Sequence, residues 1–156
     1  SVALRELGDV LERMDDGALW IVGPGTTTRA IAARLDAPKT LLGVDLYCRG
    51  EAIALDASEV EILAHARRVP AWIVVTPIGG QGYIFGRGNQ QLSPEVIQAV
   101  GKERIVIAAA MAKLASLRGA PLLAETGDPE LDRELSGHAR VVTGYRAETV
   151  QRIAPA

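Results

Sequence analysis

The chain has 156 residues, 48% of them hydrophobic, which is long enough for one sizeable core, since folding at this length buries about two-thirds of the extended chain's surface. Its 17 basic and 19 acidic residues leave a formal charge of −2, and only 4% are aromatic; a dedicated nucleic-acid binder would carry a basic excess or aromatic stacking platforms. A single cysteine, Cys48, excludes an internal disulfide framework and a multi-cysteine zinc site, and the longest apolar run, residues 105–112, falls far short of the ~20 residues that cross a bilayer.

The elements follow in order. Leu4, Leu7, Leu11 and Met14 recur at helical spacing and predict an amphipathic first helix, ended by Asp15, Asp16 and Gly17. Residues 18–22 form a short apolar run bounded by glycines, which suits a strand buried on both faces. Gly23-Pro24-Gly25 turns the chain into a helix over 26–35. A strand is expected over 41–46, with Arg49-Gly50 turning it back into a hairpin with 52–55. Ser58 with Glu61 makes a capping box for a helix reaching about Arg68. Residues 71–75 are another apolar strand, and 76–91 a long glycine-rich connection. Ser93-Pro94-Glu95 opens a helix closed by Gly101. Beyond it, 105–109 reads as a strand, 112–117 as a short helix and 121–124 as extended chain. Asp128-Pro129-Glu130 opens a helix closed by Gly137, and Val141-Val142 is a last short strand. Alternating helices and unbroken apolar strands predict one α/β domain over 1–156: three layers, a mostly parallel sheet with helices on both faces, Rossmann-like. No signal-peptide pattern is present, so a cytoplasmic chain is expected.

In such sheets ligands sit beyond the carboxyl ends of the strands, and the segments that follow the apolar runs are rich in glycine, hydroxyls and small polar groups. Gly23, Gly25, Thr26, Thr27 and Thr28 form a strand–turn–helix junction whose free amides and helix dipole suit a phosphate. The same residues also suit a tight turn with one threonine as a cap. The spacing is neither a P-loop nor a dinucleotide fingerprint. Gly79, Gly80, Gln81, Gly82, Arg87 and Asn89 lie in the long connection, where Arg87 would meet a phosphate and the amides a base or ribose edge. Asp45 suits a ribose, a magnesium ion or a turn cap, and Thr126 and Asp128 would close the site. Lys113 suits an anion or plain solvation; Trp20 and Trp72 suit the core. With only His65 and His138 and no nearby cysteine, no metal site is expected, and no residue declares itself catalytic.

The stretches WIVGPGTTTRAIAARL, KTLLGVDLY, VVTPIGGQGYIFGRGNQQLSPEVI, AKLASLRGAPLLAETGDPELDRELSG and VVTGY resemble the C-terminal part of the ATP–NAD kinase-like family, which includes the acetoin-catabolism protein X. The resemblance implies ATP- or polyphosphate-dependent phosphorylation of NAD to NADP, with NAD or ATP as ligand and Mg2+ in the longer protein. The family's Gly-Gly-Asp-Gly-Thr loop belongs to an upstream domain. Here Gly79-Gly80-Gln81-Gly82 has Gln81 where the acid would be, and an amide cannot accept a proton from a ribose hydroxyl. This chain alone, beginning at Ser1, is therefore expected to be a piece of a longer protein and inactive as a kinase.

Two other functions remain open at this stage. The junction at 20–35 is also similar to the phosphate loop of sugar-phosphate isomerases and their regulator domains, which implies a sugar-phosphate site. Alternatively, Tyr83-Ile84-Phe85 would be buried between subunits of an oligomerisation scaffold. The expected partners are a nucleotide or phosphorylated small molecule and further copies of the chain, with neither nucleic acid nor membrane.

Overall fold

The computed structural model describes residues 17–144 and 147–156, so the helix expected around Leu4 to Met14 lies outside the described residues. β1 (Leu19–Val22) leads into α1 (Thr26–Arg34), and a hairpin follows, β2 (Asp45–Cys48) with β3 (Glu51–Ala54). Next come α2 (Glu59–Ala66), β4 (Ala71–Val75), β5 (Tyr83–Phe85), α3 (Pro94–Val100) and a 3-10 turn (Lys102–Arg104). The chain ends with β6 (Ile105–Ala108), α4 (Met111–Ser116), β7 (Leu122–Ala124), α5 (Pro129–Leu135) and the hairpin β8 (Gly137–Gly144) with β9 (Ala147–Pro155).

Local chemistry explains the helix starts. Ser58 Oγ accepts from Glu61 N at 3.2 Å while Glu61 Oε1 accepts from Ser58 N at 3.2 Å, closing the capping box on α2. Ser93 Oγ accepts from Val96 N at 3.3 Å ahead of Pro94. Asp128 Oδ1 takes the Glu130 and Leu131 amides at 3.0 and 3.3 Å ahead of Pro129.

The strands form one nine-stranded sheet in the order β3-β2-β1-β4-β6-β8-β9-β7-β5. β1, β4, β6 and β8 run parallel; β9, β7 and β5 run parallel to one another; the antiparallel β8–β9 pairing joins the two blocks. The fold is therefore α/β with a mostly parallel sheet, as expected, but its two blocks point in opposite directions. Side chains alternate across β1 and β4: Leu19, Ile21, Ile73 and Val75 join the core with α2 and α3, while Trp20, Val22 and Val74 join a second cluster under Ile31 and Ala32 of α1. Trp20 and Trp72 stack there, centroids 5.5 Å apart.

Three expectations change. The strand read at 41–46 begins only at Asp45, and Leu41 and Leu42 stand 64% and 77% exposed. The last strand is not a dipeptide but one arm of a long hairpin; its residues alternate polar and apolar because much of it faces solvent. The 76–91 connection contains β5, whose Ile84 and Phe85 are 1% exposed within the main core. The scaffold alternative needed these side chains between subunits; they are part of the protomer's own interior, because pairing with β7 places them against it.

Candidate functional site

β1 and β4 are parallel neighbours, so their carboxyl ends lie side by side. Gly23 N donates to Val74 O at 2.9 Å and carries the ladder one residue past the strand. Gly25 follows at φ 136°, ψ 165°, a region that only glycine occupies without strain. A Cβ there would lie 2.3 Å from Thr76 Cγ2, so the missing side chain lets the bend rest directly on the first residue after β4.

This bend sets up the start of α1. The first turn's bond runs from Arg29 N to Gly25 O at 3.0 Å, and no side chain caps the helix. The N–H groups of Thr26, Thr27 and Thr28 thus have no acceptor within the helix, and the dipole adds positive potential beside them. The three threonines divide their tasks. Thr28 Oγ1 donates to Gly25 O at 3.1 Å and is buried, Thr27 is buried, and Thr26 is exposed at the mouth. Arg29, one turn on, is also exposed.

A cleft of ≈ 360 Å³ opens here, within the range of small-ligand sites. Pro24, Gly25, Thr26 and Arg29 make one wall; Leu41, Leu42, Ile78 and Gly88 make the others. The 23–28 bend and the 76–91 segment therefore share one cleft. Thr26 and Arg29 bring polar groups to one end, and the lining is otherwise almost wholly apolar.

The exposed Leu41–Leu42 lip is held from below by a buried ion pair. Asp45 is fully buried. Its Oδ2 pairs with the Lys39 ammonium and accepts from Thr40 N at 3.1 Å. Its Oδ1 accepts from Thr40 Oγ1 and from Asp56 N, each at 2.8 Å. Lys39 Nζ also donates to Gly43 O at 2.9 Å and Thr40 O at 3.1 Å. Burial pulls the Lys39 ammonium below its ordinary pKa, and the hydrogen bond it donates to Asp45 opposes that shift. Tyr47 donates to Pro38 O at 2.6 Å, and its phenol is pushed up, first by burial and then by the Asp45 charge. For Asp45 the sequence leaves open a ribose, a magnesium ion or a turn cap. Both of its oxygens are committed to protein donors, the Thr40 and Asp56 amides among them, as a cap requires, and it positions the lip.

The remaining expected residues separate. Gly79 and Gly80 lie open, and Gly79 O accepts from Lys113 Nζ at 2.7 Å. Gln81 is exposed, and Gly82 lies against Leu117 and Leu122. Arg87 sits 4.5 Å over the Tyr83 ring and 3.9 Å from Glu125. Asn89 is 1% exposed; its Oδ1 accepts from Gly86 N at 3.0 Å and its Nδ2 donates to Ile84 O at 2.9 Å. It closes the turn after β5 and has no face toward a base. Thr126 Oγ1 donates to Asp132 at 2.6 Å, and Asp128 caps α5. β7, which delivers both, runs against β1 and β4, and neither residue lines the cleft.

Of the expected residues, Gly25 and Thr26 line the cleft, and Gly23, Thr27 and Thr28 complete the bend behind them. Sequence reasoning missed Arg29, Leu41, Leu42 and Ile78. Arg29 was within reach, since i+3 from Thr26 shares its helix face; the leucines read as a strand. The cleft lining carries no carboxylate, and among the described residues no three histidine, cysteine or acidic side chains cluster as a metal site. No helix among the described residues is long and apolar enough to cross a membrane.

The family model described as ATP-NAD kinase C-terminal domain matches residues 21–153, from β1 to β9 and across the whole cleft. No curated protein and no solved structure matches the chain.

Proposed function

The chain belongs to the ATP-NAD kinase C-terminal domain family, and from that premise we propose that the cleft binds the phosphate groups of NAD or ATP in a protein that phosphorylates NAD to NADP. The Gly25 bend, the amides of Thr26, Thr27 and Thr28, the Thr26 hydroxyl and Arg29 hold phosphate. Leu41, Leu42 and Ile78 cover an apolar face of the same ligand. Gly79, Gly80, Gln81 and Arg87 lie on the same segment but outside the lining, which Ile78 and Gly88 supply from that side.

The observation that carries this reading is the meeting of the 23–28 bend with Ile78 and Gly88 in one cleft. Phosphoryl transfer also needs a group that orients the attacking hydroxyl, and no lining residue supplies one. The acid comes from a Gly-Gly-Asp-Gly-Thr segment outside these residues, and the chain works as one domain, 1–156, beside it. The donor set does not fit Mg2+: with no carboxylate in the lining and Asp45 committed to Lys39, any such ion would sit on ligand phosphates. Isothermal titration with NAD, NADP, ATP and polyphosphate tests the proposal. Saturable heat with at least one is expected, and silence from all four at millimolar concentration overturns it.

A further inference from the structure

A second cleft lies at the other end of the parallel block. β6 and β8 pair only at Ile107↔Val141 and Ala108↔Val142. Toward their amino-terminal ends the strands part, and β8 from Gly137 to Arg140 is laddered to β9. A cleft of ≈ 330 Å³ occupies this wedge, whereas the first cleft lies at the carboxyl ends of β1 and β4.

Its chemistry has two layers. Phe85, Ile107 and Ile153 form a floor, each nearly buried at 1%, 5% and 6% exposure. Lys102, His138 and Arg140 surround the mouth and are exposed, and Glu134 is the one acid in the lining. The mouth therefore carries a positive excess above an apolar base. The excess favours an anion over a cation at the mouth, and a bare inorganic anion would leave the floor uncovered. The volume equals that of about eleven waters at ~30 Å³ each, at the lower end of ligand sites.

We infer that this wedge is a second ligand site, for a small organic anion with an apolar body of medium-chain carboxylate size. The anionic head meets Lys102 and Arg140, and the body lies on Phe85, Ile107 and Ile153. The inference stands apart from the nucleotide cleft, with which it shares no residue.

Titration calorimetry on the full chain with octanoate, acetate and octylamine tests it. Octanoate is expected to saturate at one site, while acetate, which lacks the body, and octylamine, whose ammonium carries the opposite charge, do not. Lys102→Glu with Arg140→Glu reverses two exposed charges and leaves the far-ultraviolet circular dichroism unchanged. It is expected to weaken octanoate about tenfold or more, as the loss of two surface-strength charge contacts implies. Absent saturation by octanoate, equal binding of octylamine or acetate, or an affinity untouched by the double reversal would each overturn the inference.

Discussion

Gly25→Ala tests whether the bend depends on the missing side chain. Two penalties follow from the structure. Alanine at φ 136°, ψ 165° enters a region reserved for glycine, at about 1–3 kcal/mol. Its Cβ would lie 2.3 Å from Thr76 Cγ2, and forcing a packed contact apart costs about 1–3 kcal/mol more. The sum is about 2–6 kcal/mol, a fall in Tm of roughly 5–20 °C at this chain length. Urea denaturation followed by circular dichroism measures it. Thr76→Ser deletes the obstructing methyl, so the pair of substitutions should recover the overlap part and leave the backbone part. The coupling between the two is then about 1–3 kcal/mol, well above the ~0.5 kcal/mol scatter of independent sites. Gly25→Ala within ~0.5 kcal/mol of wild type, or strict additivity with Thr76→Ser, refutes the account of the bend. The same variant should lose NAD or polyphosphate heat, because the amides of α1 move with it.

Arg29→Ala removes an exposed guanidinium without disturbing the core; we expect about tenfold weaker nucleotide binding, a flatter salt dependence and an unchanged melting curve, and equal affinity at low salt would remove Arg29 from the site. Lys39→Met strands the buried Asp45 carboxylate and should cost about 3–5 kcal/mol in urea denaturation, with partial recovery on adding Asp45→Asn; a variant as stable as wild type contradicts the buried ion pair. Asn89→Ala leaves the Gly86 amide and the Ile84 carbonyl without their partner, about 2–4 kcal/mol in total; a thermal shift equivalent to less than ~1 kcal/mol would show that this amide does not close the turn.

The cleft at the Gly25 bend was half legible in the sequence. Gly-Pro-Gly before a run of threonines announces a bend with a helix behind it, and the structure adds that no threonine caps that helix. The division among the threonines was hidden, because burial of Thr27 and Thr28 depends on how α1 packs over β1 and β4. Leu41 and Leu42 lie in an apolar run that locally resembles a strand. They become an exposed lip because Asp45, a few residues on, turns inward to Lys39, Thr40 and the Asp56 amide. Nothing in local periodicity marks which carboxylate will be consumed in this way.

From sequence alone came the order of the elements, the caps at Ser58, Ser93 and Asp128, the apolar strands read at 71–75 and 105–109, and the bend at Gly25. Each rests on contacts between residues a few positions apart, or on the plain alternative of water against core. Tertiary structure decided strand direction, and with it the company each residue keeps. The β8–β9 reversal turned β7 against β1 and took Thr126 and Asp128 out of the cleft, while the pairing of β1 with β4 brought Ile78 to the Gly25 bend. Those choices depend on backbone ladders between segments tens of residues apart, and a hydrogen bond between distant amides leaves no mark on the side chains beside it.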